Sequence, residues 1–241
     1  MQPILSPGPQ RATKPEMPLI SIINGDCLEI TKGMPDGSVD LVLTDPPYNL
    51  GKDYGSYSSD ARDPKDYWNW FKLVFRQVYR VMRSGYLYLS HSDKGVYQAK
   101  PLLEDLGFIY LQTIIWHGMN GHNRWKVSSC WSYRHEPILF MKKGQPPPLD
   151  TGPGVWYTSV IPAPRPQSNY KAGRFHPTQK PLKLYTTLLA RTPCSHVLDP
   201  FLGSGTSAIA SRVLGRDFTG IDINPEYCEI ARKRISQELL F

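Results

Sequence analysis

The chain has 241 residues, 40% of them hydrophobic, and 28 basic against 21 acidic side chains give a formal net charge of +7. That length buries one sizeable core with little room for a second full domain, the charge suits a polyanionic partner, and no apolar run is long enough to span a bilayer. Cys27, Cys130, Cys194 and Cys228 form no C-x-x-C pair and have no His at ligand spacing, which argues against both a disulfide framework and a metal site; with no signal-peptide h-region either, the expected location is the cytoplasm.

Residues 1–18 contain five prolines and few large apolar side chains, and are expected to form a disordered tail ahead of a single domain over 19–241. Apolar runs at 19–23 and 39–44 read as buried strands, the first stopping at Asn24-Gly25-Asp26 and the second at Asp45-Pro46-Pro47-Tyr48. Residues 49–65, rich in Gly, Tyr, Ser and Asp, read as a mobile loop beside the second strand. Helical spacing of Trp70, Phe71, Val74, Phe75, Val78 and Val81 predicts a helix over 66–82, with Gly85 as its C-cap.

A strand at 86–90, a helix near 98–106 and strands at 108–116 and 135–141 follow. Residues 144–175 are dense in Pro and Gly and read as an irregular excursion. Regularity returns with a helix at 182–191, a strand at 196–199, a helix at 207–214, a strand at 217–222 and a helix at 225–239. Alternating strands and helices predict an α/β fold, a doubly wound, mostly parallel sheet with ligands beyond the carboxyl ends of its strands. Asp26, Asp45, residues 201–205 and Asp222 should then share one rim.

Gly203-Ser204-Gly205-Thr206-Ser207-Ala208 matches G-x-G-x-x-A between a strand and a helix, and Asp222 ends the next strand. Small residues let backbone approach a ligand, and a strand-terminal carboxylate can accept both ribose hydroxyl hydrogens. This is a nucleoside-binding signature, and on its own it suits a nicotinamide cofactor equally.

The stretch Asp45-Pro46-Pro47-Tyr48 separates these readings. Two prolines restrict the backbone and hold the Pro46 carbonyl as an acceptor. The lone pair of a base's exocyclic amine is delocalised into the ring, and a carboxylate and a carbonyl that accept both its hydrogens favour the pyramidal, attacking geometry. Tyr48 could stack on a base rotated out of a duplex, a contact worth roughly 1–3 kcal/mol. As isolated features, D-P-P-Y would be a proline turn, the glycines a tight turn and each basic residue a solvated charge.

With these two motifs in this order, the chain resembles the DNA amino-methyltransferases of the adenine-N6 and cytosine-N4 type, in the beta class, whose D-P-P-Y precedes F-x-G-x-G, here Phe201-Leu202-Gly203-Ser204-Gly205. The resemblance spans most of residues 20–235. It implies a Rossmann-like, circularly permuted fold dependent on S-adenosylmethionine, with the strands of Asp199 and Asp222 beside those of Asp26 and Asp45. It implies that Asp26 binds the cofactor's adenine amine, Asp222 its ribose, and residues 201–205 its nucleoside and methionine portions, with Asp199 and Thr206 alongside. Within His176-Pro177-Thr178-Gln179-Lys180-Pro181 it makes Thr178 and Lys180 candidates for the methionine carboxylate; a helix N-cap and a solvated charge or phosphate contact are the plain alternatives.

Basic residues in 124–143 and 165–183, interleaved with Trp125, Trp131, Tyr133, Tyr170 and Phe175, suit phosphate contacts to double-stranded DNA, unless Trp131 and Tyr133 belong to the core. The resemblance assigns target recognition to 144–175. So short a segment implies a short target, a homodimer or a partner that adds contacts; a cognate restriction endonuclease could accompany the protein. Asp45, where family members acting on cytosine more often carry Ser, favours adenine. RNA or protein-glutamine methylation fits less well, because those relatives place the glycines first and carry Asn at the acid. A dehydrogenase would need a separate hydride-transfer site, and a silent DNA-binding module would predict damage to Asp45, Tyr48 or the glycines, all of which are intact.

Overall fold

The computed structural model describes residues 17–51, 61–120, 131, 133–152, 157–166 and 179–237. Most of the tail, the centre of the 49–65 loop, much of 144–175, and Arg124, Trp125, Tyr170, Phe175 and Thr178 lie outside them. Chain order is β1 (Ile20–Asn24), α1 (Cys27–Gly33), β2 (Val39–Thr44), α2 (Pro64–Val81), β3 (Met82–Ser90), α3 (Asp93–Asp105), β4 (Ile109–His117), β5 (His135–Lys143), β6 (Val160–Pro162), α4 (Leu182–Arg191), β7 (His196–Asp199), α5 (Thr206–Val213), β8 (Asp217–Asp222) and α6 (Pro225–Gln237). The strands form one eight-stranded sheet ordered β1-β8-β7-β2-β3-β5-β4-β6. β5 runs antiparallel to both its neighbours, and every other pairing is parallel.

The pleat sorts the apolar side chains into two cores. Leu41, Leu43, Tyr86 and Tyr88 face the layer of α4 and α5, whereas Val42, Leu87 and Leu89 face α1, α2 and α3. Helix α2 begins at Pro64, where Asp63 Oδ1 accepts the Lys65 N–H at 2.9 Å, and Phe71, Val74, Phe75, Val78 and Val81 on its inner face are fully buried. Residues 64 and 65 are therefore helical, because a side-chain cap and a proline at the first turn start the helix earlier than its apolar spacing does.

Gly85 is not a C-cap. Helix α2 ends at Met82, which opens β3, and Gly85 lies inside that strand, where a Cβ would meet Asp40 O at 2.0 Å. The expected irregular stretch 144–175 contains β6, which pairs with β4 through Ile115, Trp116 and His117. Strand β1 pairs along its whole length with β8 nearly two hundred residues later; Asn24 Nδ2 donates to Asp222 O and Arg232 Nη2 to Ile22 O. Among the described residues no helix is long and apolar enough to cross a membrane, and no group of His, Cys, Asp or Glu could hold a metal ion.

Candidate active site

At the carboxyl rim of the parallel strands lies a cavity open to solvent, lined by Asp26, Asp45, Pro47, Lys180, Asp199, Phe201, Gly203, Ser204, Thr206 and Asp222, and also by Arg62, Trp70, Tyr185, Asn224 and Tyr227. Both motifs therefore open into one space. Because β8 and β7 lie between β1 and β2, carboxylates far apart in the chain come to adjacent strand ends.

The glycine turn is built by close packing. Gly205 has φ +83° as the N-cap of α5, and a Cβ there would stand 2.6 Å from Ala231 Cβ and 3.0 Å from its Cα. Only glycine meets both demands without strain. Beneath the turn, buried Arg234 on α6 donates from Nη1 to Ser204 O at 2.5 Å and to Ser204 Oγ at 3.2 Å. Asp222 Oδ2 accepts the Gly203 N–H at 2.7 Å and its Oδ1 the Asn224 N–H at 2.8 Å. Burial raises its pKa, against those two hydrogen bonds.

Asp199 is more enclosed, accepting from Thr44 Oγ1 at 2.8 Å, Ser207 Oγ at 2.5 Å and Phe201 N at 3.1 Å. Burial pushes its carboxyl up to about 7 despite these donors. Asp26 is exposed at the cavity mouth, where its Oδ1 accepts the Leu28 N–H at 2.7 Å and caps α1. Phe201 packs edge-on against Trp70 at 5.6 Å, and the Arg62 guanidinium lies 4.6 Å over Trp70. Asn49 takes φ +58°, and its amide holds Arg62 by two bonds, Oδ1 accepting from Arg62 N at 2.7 Å and Nδ2 donating to Arg62 O at 2.9 Å. These bonds tie residue 49 to residue 62.

The D-P-P-Y turn rests on groups the sequence reading missed. Tyr48 stacks on His91 at 4.7 Å, and His91 stacks in turn on Trp68 at 5.5 Å. His91 Nδ1 accepts the Ser92 N–H at 2.8 Å, which assigns the proton to Nε2. That N–H then donates to the Tyr67 hydroxyl at 2.8 Å, and Tyr67 donates to Pro47 O at 2.7 Å. Burial, helped by the Lys180 charge, lowers the His91 pKa to about 3, so the ring stays neutral and this direction of bonding persists. Gly95 makes room for the imidazole: a Cβ there would meet Nδ1 at 1.9 Å.

Lys180 turns to the D-P-P-Y motif. Its ammonium, 5% exposed, lies 2.5 Å from Asp45 Oδ2 and 2.9 Å from Glu136 Oε1. The Tyr48 hydroxyl is hydrogen-bonded to Asp45 Oδ1, and Glu136 Oε1 lies 2.9 Å from it. Burial alone would lower the Lys180 pKa, but the two carboxylates outweigh it and the ammonium is held above its ordinary range; burial and the same carboxylates push Tyr48 well above its own. Glu136 reaches this rim because β5 is antiparallel and brings its first residues to the carboxyl ends of its neighbours. Of the aromatic residues read as DNA contacts or core, Trp131 is 94% exposed and Tyr133 43%.

The family described as DNA methylase, of the N6/N4 type, matches residues 39–233. The chain is 32% identical to the type II methyltransferase M.HpaI of Haemophilus parainfluenzae, over 90% of the chain and 74% of that protein. It is 30% identical to the type II methyltransferase M.BglII of Bacillus subtilis, over 93% and 71%. Among solved structures, the M1.HpyAVI–SAM complex superposes with a TM-score of 0.73 at 24% identity, covering 90% of this chain and 99% of that one. The PvuII DNA methyltransferase, cytosine-N4-specific, superposes at 0.75 with 18% identity, covering 91% and 89%. At these identities the superpositions show the fold.

Proposed function

The chain belongs to this DNA methylase family, and from that premise we propose that it transfers a methyl group from S-adenosylmethionine to the exocyclic N6 amine of an adenine flipped out of double-stranded DNA, as a beta-class enzyme. The observation that carries this reading is the shared cavity, which brings the acid of D-P-P-Y and the glycine turn with its strand-terminal acid to one opening. The residues suit the cofactor: Asp222 keeps acceptor capacity beside its two backbone bonds, Asp26 stands at the mouth, Phe201 and Ile223 give apolar walls, and acidic side chains suit a cation.

S-adenosylmethionine bound there supplies an activated methyl on a sulfonium. In this reading Asp222 accepts from the ribose hydroxyls, Asp26 from the adenine amine, and residues 203–206 flank the remainder, with Asp199 bracing Phe201 and Ser207 behind them. Asp45 and the Pro46 carbonyl accept hydrogens from the target amine and raise the availability of its lone pair. Tyr48, backed by His91, presents its ring to the flipped base. Thr178 and residues 144–175 stand as the methionine-carboxylate contact and the target-recognition segment. The net charge of +7 and the type II relatives support a DNA substrate, with a homodimer and a companion endonuclease as the contexts such a short recognition segment suits.

The test is to incubate the protein with S-adenosylmethionine and unmethylated genomic DNA, digest to nucleosides and identify the products by mass spectrometry. N6-methyladenine supports the reading; N4-methylcytosine moves it to the other base with the same chemistry; no methylated nucleoside overturns it. Asp45→Ala should abolish transfer while leaving DNA affinity within a fewfold, and near-normal turnover in that variant would remove Asp45 from the mechanism.

A further inference from the structure

The cluster of Lys180, Glu136, Asp45 and Tyr48 does more than either motif requires. Before any substrate arrives, both oxygens of Asp45 are engaged, Oδ2 by the Lys180 ammonium and Oδ1 by the Tyr48 hydroxyl. An amine that is to donate to Asp45 must share an oxygen with one of them or displace it. Lys180 is almost fully enclosed, and a buried ammonium that loses its carboxylate is strongly penalised. Glu136 removes that obstacle, because its Oε1 already lies 2.9 Å from Lys180 Nζ and 2.9 Å from the Tyr48 oxygen. The single hydroxyl hydrogen of Tyr48 can serve one carboxylate at a time, so the two acids compete for it, whereas the three ammonium hydrogens of Lys180 serve both at once.

We propose that Glu136 is a positioning residue for methyl transfer, holding the Lys180 ammonium and the Tyr48 hydroxyl while the target amine binds Asp45. This rests on the reading of the site as an amino-methyltransferase. The exchange moves hydrogen bonds only: Lys180 keeps its proton and an anionic partner throughout, and Asp45 stays an acceptor, as the amine requires. It also gives Lys180 a role at the catalytic carboxylate rather than at the cofactor.

The experiment compares single-turnover transfer rates and S-adenosylmethionine Kd in the wild type, Glu136→Gln, Glu136→Asp, Lys180→Met and the double variant Glu136→Gln/Lys180→Met, with thermal denaturation of each as the folding control. Gln keeps the size and an acceptor oxygen and loses the charge. Its rate should fall ten- to a hundredfold with cofactor Kd within twofold, and Asp, which keeps the charge, should retain more of the rate than Gln. Without the ammonium only the Tyr48 hydroxyl remains to be held, and the Gln amide oxygen still accepts from it, so adding Glu136→Gln to Lys180→Met should change the rate less than threefold. A wild-type rate in Glu136→Gln, a loss expressed in cofactor Kd, or a loss of equal size in the Lys180→Met background would each overturn the proposal. The wild-type control separates the two levels: an inactive wild type defeats the methyltransferase reading and this one with it, whereas an active wild type matched by Glu136→Gln defeats this one alone.

Discussion

Gly205→Ala tests the glycine turn through two costs that can be separated. At φ +83° an alanine pays roughly 1–2 kcal/mol for the left-handed backbone. Its methyl would also stand 2.6 Å from Ala231 Cβ, an overpacking that costs roughly 1–3 kcal/mol once the helix yields. Together these come to about 2–5 kcal/mol, which for a domain of this size lowers Tm by roughly 5–15 °C. The yielding elements are α6 and the turn that Arg234 braces, so cofactor Kd should rise at least tenfold as well. Ala231→Gly removes the facing methyl but not the backbone strain, and as a helix-interior glycine it costs about 1 kcal/mol itself. The double variant should therefore be more stable than the sum of the singles by about 0.5–3 kcal/mol, measured by denaturant titration. Strict additivity, or a Gly205→Ala protein that melts within 2 °C of the wild type, would refute this account of the turn.

Gly95→Ala should act on the other half of the site: its methyl displaces the His91 ring, breaks the bonds through Tyr67 to Pro47, and lowers the transfer rate at least tenfold with cofactor Kd within twofold, because small misplacements of reacting groups are costly. A loss of cofactor affinity in place of rate would contradict it. Asp199 makes stability depend on pH. Its folded pKa of about 7 lies above the ordinary 3.8, so the folded state holds the proton more tightly. The stability this protonation confers is full below about pH 4 and is lost as pH rises toward 7, by up to about 4 kcal/mol. In Asp199→Asn that share of the slope should vanish, as denaturant titrations at pH 5 and pH 8 would show; an unchanged slope would mean that Asp199 titrates near its ordinary value.

Elements whose apolar runs end at turn residues were legible within a residue or none: β2 stops at D-P-P-Y, β7 at Asp199, β8 at Asp222, and α4 covers the expected span. Helix α1 has seven residues and β6 three, too short for a period to emerge. Gly85 misled because α2 runs into β3 with no turn between them, and glycine is needed there for the approach of Asp40 rather than for a helix end. The two motifs name Asp45 and the glycine turn, but not the side chains that hold them. Tyr67 meets Pro47, and His91 meets Tyr48, only through the packing of α2 against β3. Glu136 stands at the start of its strand, and a search for polar residues at strand ends passes over it unless β5 is known to run backwards.

The pairing of β1 with β8 bears on how the chain could be recut. The ladder at that seam is made by backbone bonds and by Asn24 and Arg232, with no covalent continuity across it. After β8, helix α6 returns toward the edge of the sheet where β1 begins. A short linker joining the last helix to the first strand, with new termini opened between β6 and α4, would make the glycine turn precede D-P-P-Y in the polypeptide and leave every contact of the sheet in place. A protein expressed in the reversed order should fold to the same rim.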